Sequence, residues 1–583
     1  MCNFILLIGN QDWKGRGAKV PFEEVEAEHS HHNGKEIGNN RTFGTLSSEA
    51  SGRRAVQLSS PGQYVEFTMP IRANSIVVRY SIPDSSDGKG IDTNIDLIVN
   101  GQKIKDLPMT SRFSWYYGSE PPFTNDPKDG NPSHFYDEVR TLFDKTYHAG
   151  TKVRVQVGSN CTSPTYTIDL ADFELVGPPH KAPENSISVL DYGADPSGTQ
   201  DSTKAFQKAF HHGQVYYKIV FIPEGHYFLT DHVVIDYVTI TGAGPWYTVL
   251  SGRHPTDPTK SAGIYGKYDT GNGIGSRNVH LSNFAIIGNI TERVDDIQAN
   301  GIGGSLTDST IDNLWIQHTK CGAWFDGKMN GLVMRNSRIM DTAAHGIGFH
   351  MGVINSKVEN CFIRNTGDEG LSMWAEHYKQ TNNQFKGNTV AIPLMANNIA
   401  IYGGRNIEVS QNLIYDTVTN GGGIHIGNRN FGVDGDTAIH TPIKINQNTL
   451  LRTGAFDFNW EFGIGAIWFS GENEKIEARI EVKDCDIIDS SYPAISFVKG
   501  NVTSVVFTNL FVNGTGTFFL QIQDNGEATF NKVRAYNIRQ NITIFNCEES
   551  FKINNDGKGE GWFTDKPMCS NVCEFQAQWP WNW

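Results

Sequence analysis

Two regimes of hydrophobic patterning divide the chain. Between residues 20 and 176, short runs at 64–68, 75–80, 95–99 and 152–157 alternate apolar and polar residues. Such alternation turns one face of a strand to a core and the other to water. Asn100-Gly101, directly after one run, is the two-residue signature of a hairpin whose central residues need positive φ. Strands at this spacing predict a β-sandwich over 20–176, after an N-terminal extension over 1–19. Gly177-Pro178-Pro179-His180-Lys181-Ala182-Pro183 breaks every pattern and predicts a linker over 177–187.

From Ser188 the pattern changes. Residues 201–210 read as a capped amphipathic helix following a Pro-Ser-Gly turn. Beyond about residue 270 one phrase recurs, a small or polar residue followed by alternating apolar positions. It appears at Asn300-Gly301-Ile302, Gly322-Ala323-Trp324, His345-Gly346-Ile347, Glu369-Gly370-Leu371, Asn398-Ile399-Ala400-Ile401, Gly423-Ile424-His425-Ile426 and Gly465-Ala466-Ile467-Trp468. Most intervals are about 22 to 29 residues, with a longer insertion between 426 and 465. A βαβ unit needs about 30 or more residues, and no Leu-x-x-Leu-x-Leu phrase supports a leucine-rich repeat. The period predicts one coil of a parallel β-helix over 188–583, with Asn and Gly at corners of positive φ. The predicted fold is therefore all-β, a sandwich followed by a β-helix.

Composition then narrows function. The 583 residues carry 49 Lys+Arg against 63 Asp+Glu, a net charge of −14, which disfavours nucleic acid and anionic polymers as partners. No apolar stretch reaches the ~18–20 residues of a membrane span. The terminal run Phe4-Ile5-Leu6-Leu7-Ile8-Gly9 lacks the basic and cleavage features of a signal peptide. Eight cysteines are too sparse to staple the fold; Cys547, Cys569 and Cys573 cluster, and one bridge among them is expected.

A β-helix offers a long face that can track a linear polymer. Aligning the coils stacks Asn300, His345, Glu369 and Asn398 at one strand entrance, with Asp368 beside Glu369. Neighbouring carboxylates resist ionising together, so one can stay protonated as a general acid while the other is an anion. The same pair would also serve as a solvated turn or a cation site. Trp374, Tyr402, Trp460 and Trp468, with His350, His425, Asn428 and Glu461, supply rings and polar partners suited to sugar faces and hydroxyls. No cofactor is expected. A structural Ca²⁺ is compatible with the Asp/Asn-rich turns, although no Asp-x-Asp-x-Asp-Gly loop is present.

Four runs carry a family resemblance: Asn365-Thr366-Gly367-Asp368-Glu369-Gly370-Leu371-Ser372-Met373-Trp374, Ala396-Asn397-Asn398-Ile399-Ala400-Ile401-Tyr402-Gly403-Gly404, Gly421-Gly422-Gly423-Ile424-His425 and Asn459-Trp460-Glu461-Phe462-Gly463-Ile464-Gly465-Ala466-Ile467-Trp468. They resemble glycoside hydrolase family 87, the α-1,3-glucanases and mycodextranases. Ser114-Trp115-Tyr116-Tyr117 and His134-Phe135-Tyr136-Asp137-Glu138-Val139 are similar to that family's sandwich. The resemblance implies a right-handed β-helix and an inverting hydrolase of α-glucan, secreted and acting as a monomer on a polysaccharide. It also implies three catalytic aspartates. One is retained as Asp368; its neighbour is Glu369, and the isolated one falls at His345.

These departures set the expectations. Asp368 is the proton donor, and Glu369 or His345 handles water across a gap of about 6.5–9.5 Å. Asp341 is a candidate substitute carboxylate. A catalytically silent polysaccharide-binding protein is the second reading, favoured by the changes at His345 and Glu369. A uronic-acid lyase is the third, disfavoured by the net charge.

Overall fold

The structure is a computed structural model and describes residues 15–119, 123–268, 275–556, 559–563 and 568–569. The N-terminal alternating runs form two antiparallel sheets packed face to face. One sheet runs Lys35–Gly38, Arg54–Leu58, Tyr166–Glu174, Ala73–Ser81, Asp137–Tyr147, with Phe22–Glu26 also on Tyr166–Glu174. The other runs His31–His32, Tyr64–Thr68, Lys152–Gln156, Asp92–Val99, Gln102–Thr110. Asn100 and Gly101 take φ of 47° and 81° and close the last hairpin as their sequence requires. Apolar residues of both sheets, among them Val65, Phe67, Ile76 and Ile168, form the sandwich core.

The strand Tyr166–Glu174 is buried along its whole length because both faces are covered. Ile168, Ala171 and Phe173 join the sandwich core, while Asp172 reaches the second domain. There Arg364, fully buried, pairs with Glu24, Glu138 and Asp172 at 2.5 to 2.7 Å. Three carboxylates thus share one guanidinium. Burial pushes the Glu24 carboxyl up to about 8, more than Arg364 lowers it, with Asp172, Asp169 and Glu138 adding repulsion. Arg79 pairs with Asp169 in the same seam.

Residues from Ile187 onward form the parallel β-helix. The segment expected as a linker is docked: His180 donates its backbone N–H to Ala243, and Ile187–Ser188 already pairs with Val220–Phe221. Residues 15–19 are also docked, with Arg16 paired to Asp486. The helix runs Thr203–Tyr216, longer than its pattern indicated, and buries Phe206, Ala209 and Phe210 in the β-helix core. The expected cap is supplied by Asp201, whose Oδ1 accepts from Thr203 N, while the Ser202 hydroxyl accepts from Asp195 N.

Successive coils stack in register, with shifts at Phe469/Ser470 and Val502/Val505. Ile302, Ala323, Ile347, Leu371, Ile399, Ile424, Ile467, Ile495, Leu520 and Ile544 form one inward ladder. At one corner Asn330, Asn355, Asn382 and Asn406 bond side chain to side chain at 2.7 to 2.8 Å, the last three with φ near 50°. The Asn richness therefore serves both the left-handed corner and the stack. Cys547 and Cys569 form the expected bridge; Cys573 lies outside the described residues.

Candidate active site

Twelve short strands, from Val233–Val234 to Ile544–Asn546, build the sheet that carries the site. The residue two positions before each inward ladder residue faces outward, and this row reads Asn300, Cys321, His345, Glu369, Asn397. Between row and ladder the chain must pass very close to its neighbours. A Cβ on Gly370 would stand 2.2 Å from Val390 Cγ1, and one on Gly346 would stand 2.4 Å from the Gly370 carbonyl. Glycine at these two positions lets His345 and Glu369 sit one above the other. A cleft of about 810 Å³ opens over them.

His345, Asp368 and Glu369 come together in that cleft, with one ligand atom of each within 4.8 Å of the others. His345 Nδ1 lies 3.0 Å from Glu369 Oε2, an ion-pair contact in which the ring N–H is not aligned to donate; Nε2 lies 3.9 Å from Asp368 Oδ2. Tyr402 donates its hydroxyl to Glu369, and Arg293 pairs with Asp368. The Glu369 backbone N–H donates to Asp368 Oδ1 at 2.9 Å. The vicinal carboxylates are thus on the same side. Their closeness corrects the expected gap of about 6.5–9.5 Å, because adjacent residues on one bend cannot flank a sugar ring and a water.

This packing drives the two carboxyls apart in acidity. Burial and then the Glu369 charge push the Asp368 carboxyl up to about 6, against the opposing pull of Arg293 and His345. Burial also acts on Glu369, but His345, the Asp368 proton and the Tyr402 hydroxyl outweigh it and hold that carboxyl well below the usual range. His345 is raised: burial lowers it, and the attraction of Asp368 and Glu369 overcomes burial. Below about pH 6 a proton-bearing carboxyl therefore stands beside a persistent anion.

A second imidazole repeats the motif. His350 Nδ1 lies 3.0 Å from Asp326 Oδ1, and Nε2 lies 2.7 Å from Glu376 Oε2. The Trp324 ring lies between the two histidines, 4.8 Å from His345 and 5.0 Å from His350, and Trp374 packs on His350 at 4.9 Å. His350, Trp374 and Tyr402 therefore line the cleft, as the sequence indicated.

Other expected contacts are not in it. Asn398 is one residue out of the outward row; its side chain turns inward, donates to the Val390 and Tyr415 carbonyls, and accepts from Thr417. Asn397 and Asn398 precede the strand at a bend, where period-2 alternation does not hold, and the cleft position falls to Asn397. His425 points outward but is sealed between Tyr402 and Trp468, and burial holds it neutral. Asn428 is buried and accepts from Ile439 N, fixing its loop. Trp468 is buried and donates to Asn397 at 2.7 Å, so it acts on the cleft through that amide. Trp460 packs with Phe462, Trp468 and Val498, and Glu461 is exposed on the same hairpin; neither lines the cleft. Asp341 is buried in the seam, accepting from Gln317 and Asn365, and is no substitute for the residue at 345.

The sequence reading missed Arg293, Trp324, Asp326, Glu376 and Asn397. Asp326 and Trp324 were legible, since Asp326 shares a register position with His350, Trp374 and Tyr402. Arg293 comes from a loop 75 residues before Asp368 and has no local signal. Two groups of described residues could hold a cation, Asp137–His318–Asp341 in the seam and His345–Asp368–Glu369 in the cleft. Both contain an imidazole, and neither is the all-oxygen set that Ca²⁺ prefers.

Comparison with known proteins bears on this geometry. The profile described as α-1,3-glucanase catalytic domain D1 matches residues 19–176, and that of domain D2 matches 198–551. The catalytic unit of a family 87 α-1,3-glucanase from Streptomyces thermodiastaticus strain HF3-3 is 37% identical, covering 97% of this chain and 99% of that one, with a TM-score of 0.84. The Agl-KA catalytic domain is 28% identical over 95% and 100% of the two chains, with a TM-score of 0.85. A family 87 α-1,3-glucanase catalytic domain in complex with nigerose shares the fold at a TM-score of 0.81 and 23% identity, over 93% and 100%. The preneck appendage protein of Bacillus phage PZA is 26% identical over 209 residues, and the match spans 22% of its length. The two matched domains coincide with the sandwich and the β-helix that carry the seam and the cleft, and the chain belongs to glycoside hydrolase family 87, the family of α-1,3-glucanase catalytic domains.

Proposed function

We propose that the protein hydrolyses an α-1,3-linked glucan in the Asp368 cleft, slowly, with Asp368 as proton donor. One observation carries this reading: a carboxyl raised to about 6 stands in an open cleft beside a carboxylate that stays ionised. Below that pH Asp368 bears the proton a leaving glycosidic oxygen needs. Trp324 and Trp374 offer faces for the C–H surface of glucose rings, and the carboxylates and imidazoles meet hydroxyls. The net charge of −14 suits a neutral polymer.

The slowness follows from the water side. An inverting reaction needs a base on the far face of the sugar. Glu369 lies beside Asp368, so His345 is the nearest remaining group able to accept a proton. A neutral His345 requires a pH above its raised value, whereas a protonated Asp368 requires a pH below about 6. Only a minority of molecules hold both states at once. Opening the gap for water also requires the imidazole to move away from Asp368. An aspartate at 345 would be ionised while Asp368 keeps its proton, removing the conflict.

The ion pairing of His345 and Arg293 with the two acids favours a second reading, a glucan-binding protein with no turnover. The two separate on one assay. Insoluble α-1,3-glucan, α-1,3/1,4-glucan and dextran are incubated with the protein, and bound protein and released oligosaccharide are both measured. Selective binding with slow release from α-1,3-linked polymer is expected; binding without release establishes the second reading, and neither removes both. We also place the protein outside the cell, where such a polymer is met and where the Cys547–Cys569 bridge persists. It acts there as a monomer.

A further inference from the structure

We propose that the His345–Asp368–Glu369 cluster is a binding site for a transition-metal dication of the Zn²⁺ type, and that metal and glucan exclude one another there. The donor set is one imidazole nitrogen and two carboxylate oxygens, with one ligand atom of each within 4.8 Å of the others. Zn²⁺ bonds such ligands at about 2.0–2.2 Å, so its tetrahedral ligands stand about 3.3 Å apart. Side-chain rotation in an open cleft covers the difference. Three protein ligands leave the fourth position to water, the arrangement of open zinc sites.

The surroundings fit a cation. Glu369 keeps one oxygen on Tyr402 and turns the other to His345, whose Nδ1 is shielded from solvent and has no aligned hydrogen-bond partner. Asp368 is held by Arg293 and by the Glu369 N–H, and each of its oxygens has a second lone pair for a metal. With a neutral imidazole, the two carboxylates and Arg293 leave the cluster one negative charge. The nitrogen is what selects the metal class: an all-oxygen site would suit Ca²⁺ or Mg²⁺, whereas imidazole with carboxylate suits Zn²⁺ or Co²⁺. A metal on these oxygens occupies the lone pair that carries the Asp368 proton, and it fills the space where the scissile bond would lie.

The test uses the whole chain, titrated with ZnCl₂ by calorimetry and with CoCl₂ by visible absorption. Other histidines of the 18 in the sequence, the Asp137–His318–Asp341 group included, are common to wild type and variants, so His345→Ala and Glu369→Gln are the reference. Wild type is expected to bind one Zn²⁺ more than His345→Ala, to give four-coordinate Co²⁺ bands that the variant lacks, and to release Co²⁺ on addition of an α-1,3-linked glucose oligosaccharide. Glu369→Gln keeps the shape of the site and is expected to weaken binding about 10-fold or more, and thermal melts of both variants check folding. Equal stoichiometry and equal Co²⁺ spectra in wild type and His345→Ala overturn the proposal, and Co²⁺ bands unchanged by oligosaccharide overturn the exclusion. None of these readouts depends on turnover, so the site stands or falls apart from the hydrolase reading.

Discussion

The seam and the cleft are both built from acids gathered round a cation, yet they do opposite work. In the seam, Arg364 is sealed at 0% side-chain exposure among Glu24, Glu138 and Asp172, and its charge fixes the sandwich on the β-helix. In the cleft, His345 and Asp368 keep 20% and 15% of their side chains exposed. Burial in the seam raises Glu24 where no substrate can reach it. Comparable burial in the cleft raises Asp368 where a substrate can. A shifted acid is therefore a candidate for chemistry only when solvent access comes with the shift.

The seam is the more sensitive of the two to substitution. Arg364→Ala removes the guanidinium that Glu24, Glu138 and Asp172 share, leaving only Arg79 near Glu138, and is expected to cost about 3–5 kcal/mol of stability, read by chemical denaturation. If that variant melts like wild type, the seam does not anchor the domains. Next, Asp368→Asn is expected to remove about 10²-fold or more of any hydrolytic rate while keeping the protein folded, because the buried Arg293 retains Asp295 and the Gly367 carbonyl as partners. A smaller effect comes from pH. Glu24 at about 8 and Glu49 at about 7 are raised above their unfolded values, so the folded state binds more protons than the unfolded state. Their contribution is complete below the unfolded value near 4.5 and is lost as pH rises through about 7 to 8. Melting points should accordingly be higher at pH 5.5 than at pH 8.5. A flat profile would show that both acids are ionised and compensated. Trp324→Ala sharpens the cleft side, with glucan binding expected to weaken about 2- to 10-fold and thermal stability nearly unchanged, since the ring is half-buried between two histidines.

The fold was legible because a β-helix writes its period into the chain. The ladder from Ile302 to Ile544 and the corner asparagines recur with each coil, so architecture could be read without knowing any contact. The cleft was legible only in part. His345 and Glu369 share a register position and were aligned correctly; Asn398 was taken in place of Asn397, one residue away, because the bend before the strand turns Asn398 inward against the run of alternation. Trp468 and His425 point outward one residue after the inward Ile467 and Ile424, but neighbouring rings seal His425, and Trp460 and Phe462 of the insertion after Ile426 pack on Trp468. A coil period cannot show what a loop covers. Arg293 and the seam partners of Arg364 come from distant segments, and their pairing is a product of docking rather than of local pattern.

The central claim is that Asp368 drives hydrolysis and that the residue at 345 limits it. Reducing-end release from insoluble α-1,3-glucan by wild type, His345→Asp and Asp368→Asn, measured side by side at pH 5.5, tests it most directly. Slow release is expected from wild type, release about 10-fold or more faster from His345→Asp, whose carboxylate is ionised while Asp368 is protonated, and none from Asp368→Asn. Equal release by wild type and Asp368→Asn would contradict it.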